Sequence, residues 1–156
     1  MFKSIMKELV AVMSGKCSGS VVLKKEGTKT KIIININGLK PNSSHAFHIH
    51  ETGDLRDGCN SLGGHYNPFN KNHGGPRSKD RHVGDLGNIT SDKNGIVKRN
   101  MTNDLIKLSG KYSVLGRGFV IHEGKDDLGK GCHTDSLTTG HAGARIACGV
   151  IGYSIK

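Results

Sequence analysis

Residues 30–37 have the sequence Thr30-Lys31-Ile32-Ile33-Ile34-Asn35-Ile36-Asn37, in which apolar and polar side chains nearly alternate. Successive side chains of a β-strand point to opposite faces, so Ile32, Ile34 and Ile36 would lie together on one face. The other face would carry the more polar set Lys31, Ile33, Asn35 and Asn37. This pattern predicts a strand that buries one face in a core.

Similar short runs recur on both sides of this stretch, and turn-forming residues separate them. The runs cover residues 9–13, 20–24, 46–50, 81–89, 96–101, 114–123 and 145–155. The turn signals are Gly27, Gly38 with Pro41, residues 92–95 and Ser109-Gly110. No segment has ten residues of helical periodicity. The sequence therefore predicts about eight antiparallel strands in a sandwich or flattened barrel.

Two long glycine-rich stretches, residues 51–80 and 124–143, interrupt this pattern of strands. Loops of that length in a compact domain are usually functional, so we expect both to carry parts of a site. The 156 residues show no internal repeat and no linker-like segment. We therefore expect residues 1–156 to form one domain.

The chain is strongly basic. Lysine and arginine outnumber aspartate and glutamate by 23 to 13, which gives a formal net charge of +10. A basic surface can bind nucleic acid or anionic membranes, or it can attract a small anionic substrate. The sequence has no basic helix, no zinc-finger spacing and no ribonucleoprotein-type aromatic motif, so we expect no dedicated nucleic-acid binding.

The apolar runs give expectations about membranes and compartment. None approaches the roughly 20 residues needed to cross a bilayer, so we expect no membrane partner. Within residues 1–13 the longest apolar run is residues 9–13, which is shorter than the about 7–15 apolar residues of a signal peptide. We therefore expect no signal peptide and a cytoplasmic location.

Six histidines and one aspartate have the spacing of a two-metal site. His48 and His50 stand two residues apart in a predicted strand, so both rings would face the same side and could hold one ion. The other members lie on or beside glycine-rich stretches that can fold back toward that side: His65, His73, His82, Asp85 and His122. Imidazole suits zinc and copper, and three nitrogens with one carboxylate oxygen form a reasonable closed zinc shell.

Several longer motifs support this interpretation and point to a family. They are Gly53-Asp54, His73-Gly74-Gly75-Pro76, Arg81-His82-Val83-Gly84-Asp85-Leu86-Gly87-Asn88, Asp126-Asp127-Leu128-Gly129-Lys130-Gly131 and Gly143-Ala144-Arg145-Ile146-Ala147-Cys148-Gly149-Val150-Ile151-Gly152. From about residue 38 to residue 153 the chain resembles the copper–zinc superoxide dismutases. The resemblance implies an eight-stranded antiparallel Greek-key sandwich or flattened barrel. It also implies two functional loops, a metal-binding loop and an electrostatic loop.

The resemblance implies one copper and one zinc per subunit. The implied copper ligands are His48, His50, His65 and His122. The implied zinc ligands are His65, His73, His82 and Asp85. His65 would then bridge the two metals as an imidazolate. A closed zinc shell leaves no room for substrate, whereas copper held by four nitrogens can keep an open face.

The implied reaction is the disproportionation of superoxide to dioxygen and hydrogen peroxide, an antioxidant defence. The catalytic residues would be His65 and Arg145, because a guanidinium stays charged and can guide an anion. Asp126 would hydrogen-bond one copper histidine and one zinc histidine and so orient both rings. Asp135 and Thr139 would line the substrate channel.

The chain has four cysteines, and the resemblance implies a disulfide between Cys59 and Cys148. It would close roughly 90 residues, which a chain-entropy estimate values at about 4–5 kcal/mol. Disulfides are uncommon in reducing compartments, so this pairing is in tension with a cytoplasmic location, and four reduced cysteines are the alternative. Cys17 and Cys132 would be unpaired.

Some positions depart from the family pattern. Thr134, Asp135 and Thr138 stand where many relatives have two acids and a lysine, and His133 and His141 are extra imidazoles that could capture metal. The resemblance implies a homodimer with Gly53, Gly116 and Ile151 near the contact, and a copper chaperone as a further partner. Thr52 and Tyr153 are unusual residues for that contact.

Two other functions compete with an active dismutase. A catalytically silent, metal-binding or decoy relative would have lost copper ligands or the guiding arginine, whereas this chain has all of them. A basic sandwich protein packaged with nucleic acid would bind DNA with a steep salt dependence and without a metal requirement.

Overall fold

The computed structural model describes residues 8–155, and antiparallel strands dominate them. The strands are β1 (Leu9–Gly15), β2 (Ser18–Glu26), β3 (Lys29–Asn37), β4 (Ser44–His50), β5 (Asp85–Thr90), β6 (Val97–Asn103), β7 (Gly118–His122), β8 (Arg145–Val150) and β9 (Gly152–Tyr153). Two short helices accompany them, a 3-10 helix at Gly58–Leu62 and α1 at Ser136–Thr139. The predicted all-β class is confirmed.

The strands follow the order β5-β4-β7-β8-β1-β2-β3-β6, and the two-residue β9 pairs with β1. Neighbours in this order pair antiparallel, for example β3 with β6 and β4 with β7. The connections β3 to β4 and β6 to β7 cross between the two halves, as in a Greek key. Within residues 8–155, no backbone ladder joins β5 to β6, so the nearly closed barrel has one gap, which we call the β5/β6 seam.

The core confirms the predicted alternation in β3. Ile32, Ile34 and Ile36 are fully buried, whereas Lys31, Ile33, Asn35 and Asn37 on the other face are at least partly exposed. The stacked rings of Phe47 on β4 and Phe119 on β7, with centroids 5.0 Å apart, add to the same core.

Strand β4 differs from β3 because both of its faces are covered: every residue from His45 to His50 is buried. One face of β4 packs on the core through Phe47 and Ile49. The other face carries His48 and His50 and lies under the long loops. A strand buried on both sides is a rigid platform for a site.

Three predicted strand boundaries are wrong. The run 81–89 begins as a turn, because the Asp85 side chain accepts the backbone N–H of His82 and the Asp85 N–H donates back to the His82 carbonyl. The run 114–123 also begins as a turn, closed by a bond from Arg117 N to Val114 O. The run 145–155 is split at Ile151, whose backbone pairs with Arg117 and Gly116.

The two long loops are confirmed as stretches with little regular structure. The first long loop, residues 51–84, contains only the 3-10 helix, and the second long loop, residues 123–144, contains only α1. In the part of the chain that the structure describes, no helix is long and apolar enough to span a membrane.

Candidate metal centre

Four histidine rings meet where β4, β7 and the first long loop come together. His48 and His50 stand on one face of β4, and His122 ends the neighbouring strand β7. His65 reaches the same place because its backbone forms an isolated bridge with His50. Ring atoms of these four buried histidines lie within 4.8 Å of one another. We call them the first group.

Each of three rings in the first group is fixed by an outer partner. His50 Nδ1 lies 2.8 Å from Gly63 O, and His122 Nδ1 lies 3.0 Å from Gly143 O. A carbonyl oxygen can only accept, so each Nδ1 carries the proton and each Nε2 is left with its lone pair. These two Nε2 atoms are 3.4 Å apart. His48 is held through its other nitrogen, Nε2, which lies 2.7 Å from Asp126 Oδ2.

The remaining nitrogens of His48 and His65 have the surroundings expected of metal ligands. His48 Nδ1 and His65 Nε2 are buried and have no hydrogen-bond partner among the described residues. A buried nitrogen without a partner loses hydration and gains nothing in return. A bound cation removes that penalty, so the residues present fit a metal ion.

Asp85 is the centre of a second set of donors. Its Oδ1 lies 2.9 Å from His65 Nδ1, 2.9 Å from His73 Nδ1 and 3.2 Å from His82 Nδ1. Its Oδ2 is occupied by the backbone N–H groups of Gly74 and His82. The carboxylate is thus fixed with one oxygen toward three imidazoles. We call these four residues the second group, and all of them are buried.

Distances alone assign His48 to a cluster with His65, His73 and Asp85, whose donor atoms lie within 4.8 Å of one another. The bonding favours His82 over His48 as the fourth member of the second group. His48 Nε2 is already held by Asp126, whereas His82 Nδ1 lies 3.1 Å from His65 Nδ1. Three nitrogens and one carboxylate oxygen match a closed zinc shell.

His65 has one nitrogen in each group. Its Nδ1 lies beside Asp85 and His82, and its Nε2 is one of the two nitrogens of the first group that have no partner among the described residues. Asp126 joins the groups in a second way, since its Oδ1 lies 2.7 Å from His73 Nε2 while its Oδ2 holds His48. One ring and one carboxylate therefore span both groups.

Burial sets the protonation of the first group. Desolvation by burial, reinforced by His65, lowers the pKa of His48 to about 3. Burial likewise lowers the pKa of His122 to about 4, despite the bond to Gly143. Rings with such pKa values are neutral at physiological pH and offer lone pairs to a metal.

Opposite charges meet where Asp126 contacts the second group. Burial raises the pKa of Asp126, but its bonds with His48 and His73 outweigh burial and bring the value to about 2. Burial lowers the pKa of His73, but its bonds with Asp126 and Asp85 outweigh burial and bring the value to about 9. The carboxylates of Asp85 and Asp126 therefore favour a positive charge beside His73, whether that charge is a proton or a metal ion.

Arg145, the first residue of β8, reaches the edge of the first group. Its Nη1 donates to Cys59 O at 2.9 Å, and its Nη2 donates to Gly63 O at 2.6 Å. Gly63 O also accepts the bond from His50, so one carbonyl ties the guanidinium to the ring. Burial lowers the pKa of Arg145, but a guanidinium stays charged at physiological pH.

The sequence model of the copper/zinc superoxide dismutase family matches residues 17–151. The chain belongs to this family. A Cu-Zn superoxide dismutase of Paramecium bursaria Chlorella virus 1 is 54% identical over 145 residues, covering 93% of this chain and 78% of the relative. One from Kluyveromyces lactis is 52% identical over 153 residues, covering 96% of this chain and 99% of the relative.

A solved structure has the same fold. The crystal structure of the clock protein EA4 has a TM-score of 0.93 and 42% identity, with 99% of each chain covered. The chain is therefore an oxidoreductase of the superoxide dismutase family, which converts superoxide to dioxygen and hydrogen peroxide with copper and zinc as cofactors.

The disulfide implied by the family resemblance is present. Cys59, in the 3-10 helix, is bonded to Cys148 on β8, at a sequence separation of 89. Cys17 is buried and free, and Cys132 is exposed and free. Because the Cys59 carbonyl accepts a bond from Arg145, the disulfide fixes the loop that holds the guanidinium.

The two channel residues expected for a superoxide dismutase lie together at α1. Asp135 precedes the helix, and the Thr139 hydroxyl donates to the Asp135 carbonyl at 3.2 Å. Asp135 also holds His141, with 2.7 Å between Oδ1 and Nδ1. The rings of His141 and His133 stack with centroids 3.7 Å apart. No sequence pattern predicted this contact, and His141 has a left-handed backbone, φ 54°.

Apart from Asp126, sequence reasoning missed the groups that hold these side chains in place. Asn88 fixes Asp126 twice, since its Oδ1 accepts the Asp126 N–H at 2.7 Å and its Nδ2 donates to the Asp126 carbonyl at 3.1 Å. Asn88 closes one of the family motifs, which was the only signal available. No sequence signal pointed to the carbonyls of Gly63 and Gly143, because every residue type has a backbone oxygen.

Proposed function

We propose that this superoxide dismutase binds copper at the first group and zinc at the second. The copper ligands are His48, His50, His65 and His122, and the zinc ligands are His65, His73, His82 and Asp85. The observation that carries the assignment is the division of ring nitrogens: in His48, His50, His73 and His122, one nitrogen is held by a carbonyl or carboxylate and the other is left for a metal.

The overall reaction takes two superoxide ions and two protons to dioxygen and hydrogen peroxide. Copper supplies a one-electron couple between Cu(II) and Cu(I), and zinc supplies a fixed positive charge. The chain's own residues supply the rest of the chemistry. Among the described residues, His65 Nε2 has no hydrogen-bond partner, so whenever it is not bound to copper it would be free to take up one of the two protons and pass it on, the other proton coming from water.

Arg145 positions the anion. Its guanidinium donates to three carbonyl oxygens, those of Cys59, Asn60 and Gly63, so its position is fixed. A positive charge fixed in this way stabilises an anion beside the first group, because the side chain does not have to become ordered when the anion binds. Asp135 and Thr139, on the exposed α1 segment, line the approach.

The experiment is superoxide decay measured by pulse radiolysis on protein loaded with copper and zinc. His122→Ala should abolish fast decay, and Arg145→Ala should slow it by roughly 10- to 100-fold. Arg56→Ala is the matched control, because Arg56 is exposed and pairs only with Asp54. Decay no faster than in free solution, with both metals bound, would contradict the catalytic role and favour the silent, metal-holding relative.

We also propose that the chain is a homodimer in which Gly53 and Gly116 lie near the contact. A side chain on Gly53 would overlap the Gly116 carbonyl of the same chain, so these two glycines lie in direct contact. Ile151, expected at the contact, packs in the chain's own core with 1% of its surface exposed and offers no side chain to a partner. Light scattering after size exclusion should give twice the 16.7 kDa chain mass; a single chain mass would contradict the proposal.

Three further properties belong to the same proposal. Residues 1–156 act as one domain, which a single cooperative unfolding transition would support and two transitions would contradict. The protein works in the cytoplasm, which cell fractionation tests. It receives copper from a chaperone, which is tested by measuring the copper content of protein made in cells that lack the chaperone. Residues 1–7, where a signal peptide would begin, lie outside the described residues.

A further inference from the structure

A basic cavity opens at the β5/β6 seam. Its volume is about 640 Å³, and it contains five cationic side chains and one acidic side chain. The cations are Lys29, Lys31, Arg77, Arg81 and Arg99, and the acid is Asp104. None of these residues belongs to the first group or the second group, and Arg145 is not among them. We call this cavity the seam pocket.

The seam pocket exists because two sheet edges face each other without pairing. Among the described residues, β5 and β6 are the ends of the strand order. Arg99 of β6 crosses the gap and donates from Nη1 to the Asn88 carbonyl of β5 at 3.0 Å. Pro76 of the first long loop packs over Gly87 of β5, where a side chain would come within 3.1 Å of the proline ring. The residues that line the pocket come from four elements, β3, β5, β6 and the first long loop.

The charge in the seam pocket is largely uncompensated. Only Arg81 has a carboxylate partner, Asp104, at 2.7 Å. Within residues 8–155, Lys29, Lys31, Arg77 and Arg99 form no ion pair. Four like charges in one concavity repel one another and destabilise the fold unless a counter-ion joins them.

Arg81 is the buried part of this wall. Its side chain is only 9% exposed, and its two terminal nitrogens donate to Ser78 O and Asp104 Oδ1. Its Nε is buried and has no hydrogen-bond partner among the described residues. A guanidinium fixed in this way is a preorganised donor, and arginine is well matched to phosphate oxygens.

We propose that the seam pocket binds a polyphosphate chain, either inorganic triphosphate or the phosphates of a nucleotide. The volume lies in the range of small-ligand sites, and five cationic side chains line this one depression. Several cations suit an anion with several charges better than the singly charged superoxide. The ligand would also join β5, β6 and the first long loop across the seam.

Isothermal titration of the copper- and zinc-loaded protein with inorganic triphosphate tests the proposal at physiological salt, where weak surface attraction is screened. The test variant is Lys29→Gln/Lys31→Gln. The control is Lys25→Gln/Lys98→Gln, which removes the same charge from exposed residues of the neighbouring strands β2 and β6 outside the pocket. We expect saturable binding that weakens about tenfold or more in the test variant and less than twofold in the control.

Equal weakening in both variants, or no saturable binding, would overturn the proposal. Triphosphate itself binds metals, so copper and zinc contents are measured before and after titration; heat that tracks metal loss would also overturn it. A second titration with ATP identifies the source: binding as tight as triphosphate supports a nucleotide, and its absence supports inorganic polyphosphate. Superoxide decay in the test variant should be unchanged, which shows that the metal centre and fold are intact.

Discussion

Asp126 is a buried carboxylate with both oxygens committed to histidine rings, His48 on one side and His73 on the other. Partners of this kind orient metal ligands, and removing them typically costs about 10- to 100-fold in metal affinity. We predict that Asp126→Asn lowers zinc affinity by about this factor, because an amide cannot accept from both rings. Competition with a zinc chelator measures the effect.

Asp127→Asn is the control for Asp126→Asn. Asp127 holds the second long loop through the Gly129 N–H and the Ser136 hydroxyl and bonds no histidine. If the two variants lose zinc equally, loosening of the loop rather than ring orientation explains the loss.

At the scale of single residues, the sequence predicted which side chains come together better than it predicted what holds them in place. The spacing of His48 and His50 on a strand is a local rule, and the family motifs pointed to the other members of the two groups. The supports are backbone atoms, such as Gly63 O, or residues from distant segments, such as Asn88. Their roles depend on how the loops close, which no local pattern records.

The second long loop passes so close to the metal centre that one position must be glycine. A side chain on Gly140 would overlap Asp126 Oδ1 and His73 Nε2. We predict that Gly140→Ala separates this pair and releases zinc, as measured by metal content after dialysis. Gly110→Ala is the matched control, because Gly110 has a similar left-handed φ, +85° against +71°, and nothing within 4 Å of an added methyl. Zinc loss in both variants would point to backbone strain alone.

The disulfide joins the 3-10 helix to β8 and so acts on two elements at once. We predict that Cys59→Ser lowers the free energy of unfolding by about 4–5 kcal/mol, since the bond closes a long loop in the unfolded chain. Denaturant unfolding measures this change. Cys132→Ser, at an exposed free cysteine, should leave stability within about 0.5 kcal/mol of the parent. A loss in Cys59→Ser no larger than in that control would contradict the prediction.

At the scale of elements, alternation identified strands that keep one face on the core, as in β3. It failed where a side chain competes for the backbone. Asp85 folds residues 82–85 into a turn, so β5 begins later than the pattern predicts. Alternation also failed at Ile151, where the backbone pairs with Gly116 and Arg117 of an earlier turn instead of continuing the strand.

The whole molecule carries a formal net charge of +10, and its substrate is an anion. We predict that kcat/KM for superoxide falls when salt rises from about 10 mM to 150 mM, because the screening length shortens from about 30 to 8 Å. The fall should persist in Arg145→Ala, which changes the net charge by only one. A rate independent of salt in both proteins would show that the global charge does not guide the substrate.

His65 and Asp126 each contact both ligand groups, so on the proposed assignment we expect the two metals to bind cooperatively. Occupation of the zinc group would fix the shared ring and the shared carboxylate in the arrangement that copper also needs. Such cooperativity is reciprocal by thermodynamic necessity: the factor by which zinc tightens copper binding equals the factor by which copper tightens zinc binding. A shortage of either metal in the cell should therefore weaken the hold of the chain on the other.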